Sequence, residues 1–112
     1  MLDIKPLAGA LGAEIRGMDL GQALSEDDVL RLRKLLNEYE VIFFRDQDIS
    51  PARQKSLALC FGPLQTHPAY DTVEGFPEIT ILESTPDKPT KIEAWHSDMT
   101  FREHPPLGTV LK

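Results

Sequence analysis

The sequence predicts an α+β chain, mainly β with flanking helices, and three observations lead there. Short β-favouring runs recur along the 112 residues. Two serine-capped helical patterns interrupt them, and proline-bearing connections separate the later runs. With no internal repeat or linker, residues 1–112 read as part of a single domain.

Residues 2–5 and 12–16 read as short strands joined by a turn that carries Gly9 and Gly12. Ser25 then opens a helix as a near capping box. Glu26, Asp27 and Asp28 fill the first turn, where the helix dipole favours acids. Val29, Leu32, Leu36 and Tyr39 recur at helical spacing as one apolar stripe, with Arg31, Arg33, Lys34 and Glu38 mostly opposite. Val41-Ile42-Phe43-Phe44 has the length and type of a buried strand, and Arg45-Asp46-Gln47-Asp48 reads as a turn with local ion pairing.

Ser50 and Pro51 start a second helix, with serine at the N-cap and proline at the first helical position. It carries Ala52, Leu57, Ala58 and Cys60 and stops at Gly62-Pro63. Leu64 to Pro77 reads as loop with short extended pieces, Glu78–Glu83 as a strand and Ser84–Thr90 as a proline-interrupted loop. Ile92–Phe101 is expected as a strand, and Thr109-Val110-Leu111-Lys112 as the start of another. A strand begun there predicts that residues 1–112 are the N-terminal part of a larger domain, incomplete at the C-terminus.

A net charge of −6, 41% hydrophobic and 27% charged residues are ordinary for a soluble globular protein. No run approaches the ~20 apolar residues of a membrane span. The opening Met1-Leu2-Asp3-Ile4-Lys5-Pro6 lacks the pattern of a secretory signal. One cysteine, Cys60, permits no internal disulfide, reads as a small buried hydrophobe and suits a reducing cytoplasm. Basic residues are scattered among acids, which argues against a nucleic-acid partner.

The chemistry concentrates in Trp95-His96-Ser97-Asp98-Met99-Thr100-Phe101. On a strand, residues two apart share a face, so His96 and Asp98 are expected to project together while Trp95 turns inward as core support. An imidazole nitrogen and a carboxylate oxygen are two of the three donors of a two-His-one-carboxylate site, which leaves three positions open on Fe(II). The alternative is a His–Asp hydrogen bond with no metal. His67, beside Pro68, reads by itself as loop structure, and His104 as solvated.

Five segments in order carry a resemblance: Gly12-Ala13-Glu14-Ile15-Arg16-Gly17-Met18-Asp19-Leu20, Val41 to Gln47, Phe61-Gly62-Pro63-Leu64, His67-Pro68-Ala69-Tyr70 and Trp95 to Phe101. Together they resemble the N-terminal portion of the Fe(II)/2-oxoglutarate-dependent dioxygenases of the taurine dioxygenase type. The resemblance implies a double-stranded β-helix (jelly roll) with the metal between its sheets. It implies His96 and Asp98 as the first two iron ligands, and His67 and Tyr70 near the substrate. The distal histidine ligand and the 2-oxoglutarate arginine are implied to lie outside this chain. Taurine-specific members carry asparagine where this chain has Ile92, which points toward alkyl sulfates, other sulfonates or aryloxyalkanoates.

The implied activity is hydroxylation of a small anionic sulfonate, sulfate ester or related substrate, as in taurine catabolism and sulfur metabolism. Fe(II), 2-oxoglutarate and molecular oxygen are the implied cofactor and cosubstrates, with succinate and CO₂ as co-products. No nucleic-acid or membrane partner is expected, and a homo-oligomer is. The alternative is a truncated or split non-catalytic fragment, inactive without a C-terminal half.

Overall fold

A computed structural model describes all of residues 1–112. Strands β1 (Asp3–Pro6) and β2 (Ala13–Arg16) pair antiparallel, with Ile4 opposite Ile15. Helix α1 (Glu26–Tyr39) then crosses over to β3 (Ile42–Phe43), which pairs parallel to β2 with Ala13 opposite Ile42. The sheet order is β1-β2-β3. Helix α2 (Pro51–Leu59) follows, and β4 (Thr72–Val73) and β5 (Phe76–Thr80) form a separate antiparallel hairpin. Its two-residue loop uses Gly75 at φ 79°, a conformation glycine reaches without steric cost.

Both helices start where their caps place them. The Ser25 Oγ accepts from the Asp28 amide at 3.1 Å, and Asp28 Oδ2 accepts in return from the Ser25 amide at 3.3 Å, a full capping box. Ser50 Oγ accepts from the Arg53 amide at 3.2 Å, with Pro51 in the first turn. The end of α2 tightens through amides of Cys60, Phe61 and Gly62 bonding three residues back, and Arg33 Nε donates to the Cys60 carbonyl at 2.7 Å.

The α1 stripe packs as expected, with Leu35 as an addition to it: Leu32 and Leu35 are its buried members. Ala13, Ile15 and Leu35 form one cluster under the sheet, and Leu20, Leu32, Ile49 and Leu57 form another between the helices. The Met18–Leu20 loop is held by Gln47. Its Oε1 accepts from the Leu20 amide at 2.8 Å, and its Nε2 donates to the carbonyls of Met18 and Arg45 at 3.2 Å. On the other face of β2, the buried carboxylate of Glu14 accepts from Arg16 Nε at 2.6 Å and from Arg45 Nε at 3.4 Å. Arg45 therefore pairs across the sheet rather than within its own turn.

Several expectations need correction. Val41 to Phe44 is a two-residue edge strand with Val41 and Phe43 exposed, because only one of its sides has a partner. The 78–83 strand sits at 76–80, whereas β4 is one of the short extended pieces expected between Leu64 and Pro77. Ile92–Phe101 and Thr109–Lys112 form no strand. A strand needs a neighbour to complete its ladder, and none runs beside these residues, so the partners their backbone groups find are side chains and a local turn instead. Helical residues consequently outnumber strand residues, and the mainly β proportion does not hold within 1–112. Cys60 is half-buried rather than buried. All nine buried residues lie between Gly12 and Leu57.

The carboxy-terminal residues return to the core: Val110 packs against the Leu32 cluster, Gln54 Nε2 donates to the Val110 carbonyl at 3.1 Å, and Lys112 Nζ donates to the Ile49 carbonyl at 2.6 Å. No helix is long and apolar enough to cross a membrane.

Candidate metal and substrate site

His96 and Asp98 sit in an irregular segment that ends in a turn, with Met99 at φ 57°. Their side chains meet nonetheless, His96 Nε2 lying 2.9 Å from Asp98 Oδ1. The other ring nitrogen, Nδ1, is 2.8 Å from the Ala94 carbonyl oxygen. A carbonyl only accepts, so Nδ1 carries the proton and donates it. In the neutral ring, Nε2 then presents a lone pair to a carboxylate. Two acceptors at hydrogen-bond distance need a cation between them, either a proton or a metal ion.

The electrostatics agree. The Ala94 carbonyl, and after it the negative charge of Asp98, raise the His96 pKa above its ordinary value. A carbonyl holding the outer nitrogen of an imidazole is also the usual way a metal-binding histidine is oriented. Two donors on neighbouring positions of an octahedral ion, each at about 2.1 Å, stand about 3 Å apart, close to the separation found here. The pair therefore fits a metal ion, as one nitrogen and one oxygen donor. No group of three His, Cys, Asp or Glu side chains in the chain gathers to hold one.

His67 and Tyr70 come together as a second pair, ring centroids 4.7 Å apart and tilted by 47°. His67 Nδ1 accepts from the Ala69 amide at 3.2 Å, so the neutral ring carries its proton on Nε2 and offers a donor outward. Tyr70 and Ile92 are both exposed. No hydrogen bond or ring contact joins the His67–Tyr70 pair to the His96–Asp98 pair. Trp95 is fully exposed, which overturns its expected place in the core: without a strand there is no alternation to turn it inward. His104 is exposed as expected.

The link between the two segments runs through residues that spacing does not reveal. Arg102 Nη1 donates to Gln65 Oε1 at 2.8 Å and Nη2 to the Thr66 carbonyl at 2.9 Å. Gln65 Nε2 donates in turn to the His104 carbonyl at 3.3 Å. Two clefts open elsewhere, around Asp19, Asp46 and Asp48 and beside Arg16 and Arg45, and neither is lined by a predicted site residue.

Residues 3–112 match the family described as taurine catabolism dioxygenase TauD, TfdA family. An alpha-ketoglutarate-dependent sulfate ester dioxygenase of Pseudomonas putida is 33% identical over 112 residues, covering 99% of this chain and 36% of that protein. The crystal structure of a taurine dioxygenase from Burkholderia xenovorans superimposes with a TM-score of 0.62 at 34% identity, over 68% of this chain and 28% of that one. The crystal structure of AAD-2 in complex with Mn(II) and N-oxalylglycine does so with a TM-score of 0.56 at 28% identity, over 57% of this chain and 25% of that one. The chain thus spans about a third of the length of the curated relatives it matches.

Proposed function

The chain belongs to the taurine catabolism dioxygenase TauD, TfdA family, and we propose that it supplies His96 and Asp98 as two iron ligands of an Fe(II)- and 2-oxoglutarate-dependent dioxygenase. The fold proposed around them is the N-terminal part of a jelly roll, and the substrate a small sulfate ester or sulfonate. One observation carries this reading: His96 Nε2 and Asp98 Oδ1 converge at 2.9 Å while Ala94 holds the opposite ring nitrogen. The sulfate ester dioxygenase among the relatives supports the substrate class, and the neighbour holding Mn(II) supports a divalent metal.

Bound there with 2-oxoglutarate and oxygen, Fe(II) supplies the oxidative decarboxylation to succinate and CO₂ and the power to hydroxylate a C–H bond. The residues of this chain bind and orient. The Ala94 carbonyl fixes the His96 ring so that Nε2 faces the metal position. His67 Nε2–H donates to an oxygen of the substrate anion, with Tyr70 against its ring. Ile92 offers no acceptor to an ammonium group, and burying that charge unpaired is costly, so an unaminated substrate is favoured over taurine. Hydroxylation of the carbon that bears a sulfate gives a product that expels sulfate and leaves an aldehyde. A cytoplasmic location and a homo-oligomeric state belong to the same reading, supported by the lone cysteine and by the exposed Trp95, Phe101 and Leu107.

A second reading, favoured by the absence of any three-donor cluster, makes the 112-residue chain a non-catalytic fragment by itself. Succinate release with Fe(II), 2-oxoglutarate and an alkyl sulfate, an alkyl sulfonate or taurine tests both. The chain alone is expected to be silent, and a fusion to the C-terminal two-thirds of the P. putida relative is expected to turn over alkyl sulfate ahead of taurine. Activity that survives His96→Ala or Asp98→Ala in the fusion overturns the first reading, and succinate from the chain alone overturns the second.

A further inference from the structure

All nine buried residues precede residue 58, so hydrophobic burial does not fix residues 64–70 against 94–104. Polar contacts do. Of the chain's hydrogen bonds, only three join these two segments, and Arg102 makes two of them. Its fork reaches neighbouring residues, Nη1 to the Gln65 side chain and Nη2 to the Thr66 carbonyl, across 37 and 36 positions of sequence. Gln65 passes the link on to the His104 carbonyl. Arg102 forms no ion pair, so both charge-assisted bonds go to neutral oxygens, where they fix geometry without neutralising charge.

The two anchored points flank the proposed site. Thr66 directly precedes His67. Arg102 lies four residues after Asp98, in a turn closed by its own amide on the Met99 carbonyl at 3.1 Å. Its guanidinium also lies over the Phe101 ring, 5.9 Å from the centroid. Resting on the functional reading above, we propose that Arg102 is a positioning residue that sets where His67 stands relative to the His96–Asp98 pair, and so how tightly the anionic end of the substrate is held. A lysine cannot take over this role, because one ammonium cannot reproduce a planar two-pronged donor.

Four proteins test this: wild type, Arg102→Ala, Arg102→Lys and Gln65→Glu, the last keeping the acceptor that Arg102 uses. Hydrogen exchange of the Ala69 amide, the one amide of 66–70 that has an acceptor (His67 Nδ1), is expected to quicken about tenfold in both Arg102 variants and to stay near wild type in Gln65→Glu. Affinity for an alkyl sulfate, read by calorimetry and as KM in the fusion protein, is expected to weaken about tenfold in the Arg102 variants, with kcat moving far less. Mn(II) affinity, read from quenching of Trp95, the only tryptophan, is expected to stay unchanged. A wild-type exchange rate at the Ala69 amide in Arg102→Ala and Arg102→Lys overturns the proposal, as does a fall in Mn(II) affinity that matches the fall in substrate affinity. If the wild-type fusion protein binds neither Mn(II) nor alkyl sulfate while the exchange contrast persists, the functional reading fails, and the substrate role of Arg102 with it.

Discussion

Replacing Gln47 by alanine removes the residue that fastens the Met18–Leu20 loop. The Leu20 amide, which belongs to a residue only 4% exposed, loses its partner at 2.8 Å. An orphaned buried donor costs about 1–3 kcal/mol. The two carbonyls that Nε2 serves, on Met18 and Arg45, sit nearer water and can be rehydrated, so each loss adds roughly 0.5 kcal/mol. The expected total is about 2–4 kcal/mol. Gln47→Glu separates the contributions: it keeps an acceptor for Leu20 but sets a carboxylate oxygen against two carbonyl oxygens. It is therefore expected to cost about 1–2 kcal/mol. Urea unfolding at pH 7 measures the sums, and exchange of the Leu20 amide reads the individual bond. A Gln47→Ala midpoint equal to wild type, with the Leu20 amide still protected, would refute the reasoning.

Glu40 ends α1 at φ 64°, in the region that penalises a side chain, and Glu40→Gly is expected to stabilise by about 0.5–1 kcal/mol, read as a rise in Tm. The Arg16 hydrogen bond, with Arg45 behind it, holds the Glu14 carboxyl below the usual range. Its folded pKa is depressed, so its contribution is complete above the unfolded value of about 4.3 and disappears as pH falls through the folded value. Urea midpoints of wild type and Glu14→Gln are expected to differ at pH 7 and to converge in the acid limb; a constant difference down to pH 2 would contradict this.

Much of the first half of this fold is legible in the residues, because its signals are local. Ser25 with Asp28, and Ser50 with Pro51, announce helix starts within four positions, and the Leu32 stripe announces the face that α1 buries. The second half depends on partners distant in sequence. Ile92 to Phe101 has the composition of a strand but no neighbour to pair with. His96 and Asp98 meet through a turn and the Ala94 carbonyl instead of through alternation. Gln65, Gln47 and Arg102 look like ordinary polar loop residues until the structure places their partners 27 to 39 positions away. No periodicity marks such contacts.

Confinement of the buried residues to 12–57 also bears on the order of events at the ribosome. Because chains fold from the amino terminus as they emerge, α1 can close over β2 and pair β3 before His96 has been synthesised. The crossover is then the expected nucleus, and the loop that carries His96 and Asp98 a late addition whose contacts form after the rate-limiting step. Defects in Leu32 or Ala13 would slow folding and lower the yield of soluble protein. Defects at Ala94, His96 or Arg102 would leave folding rate and yield intact and appear only in what the finished protein binds.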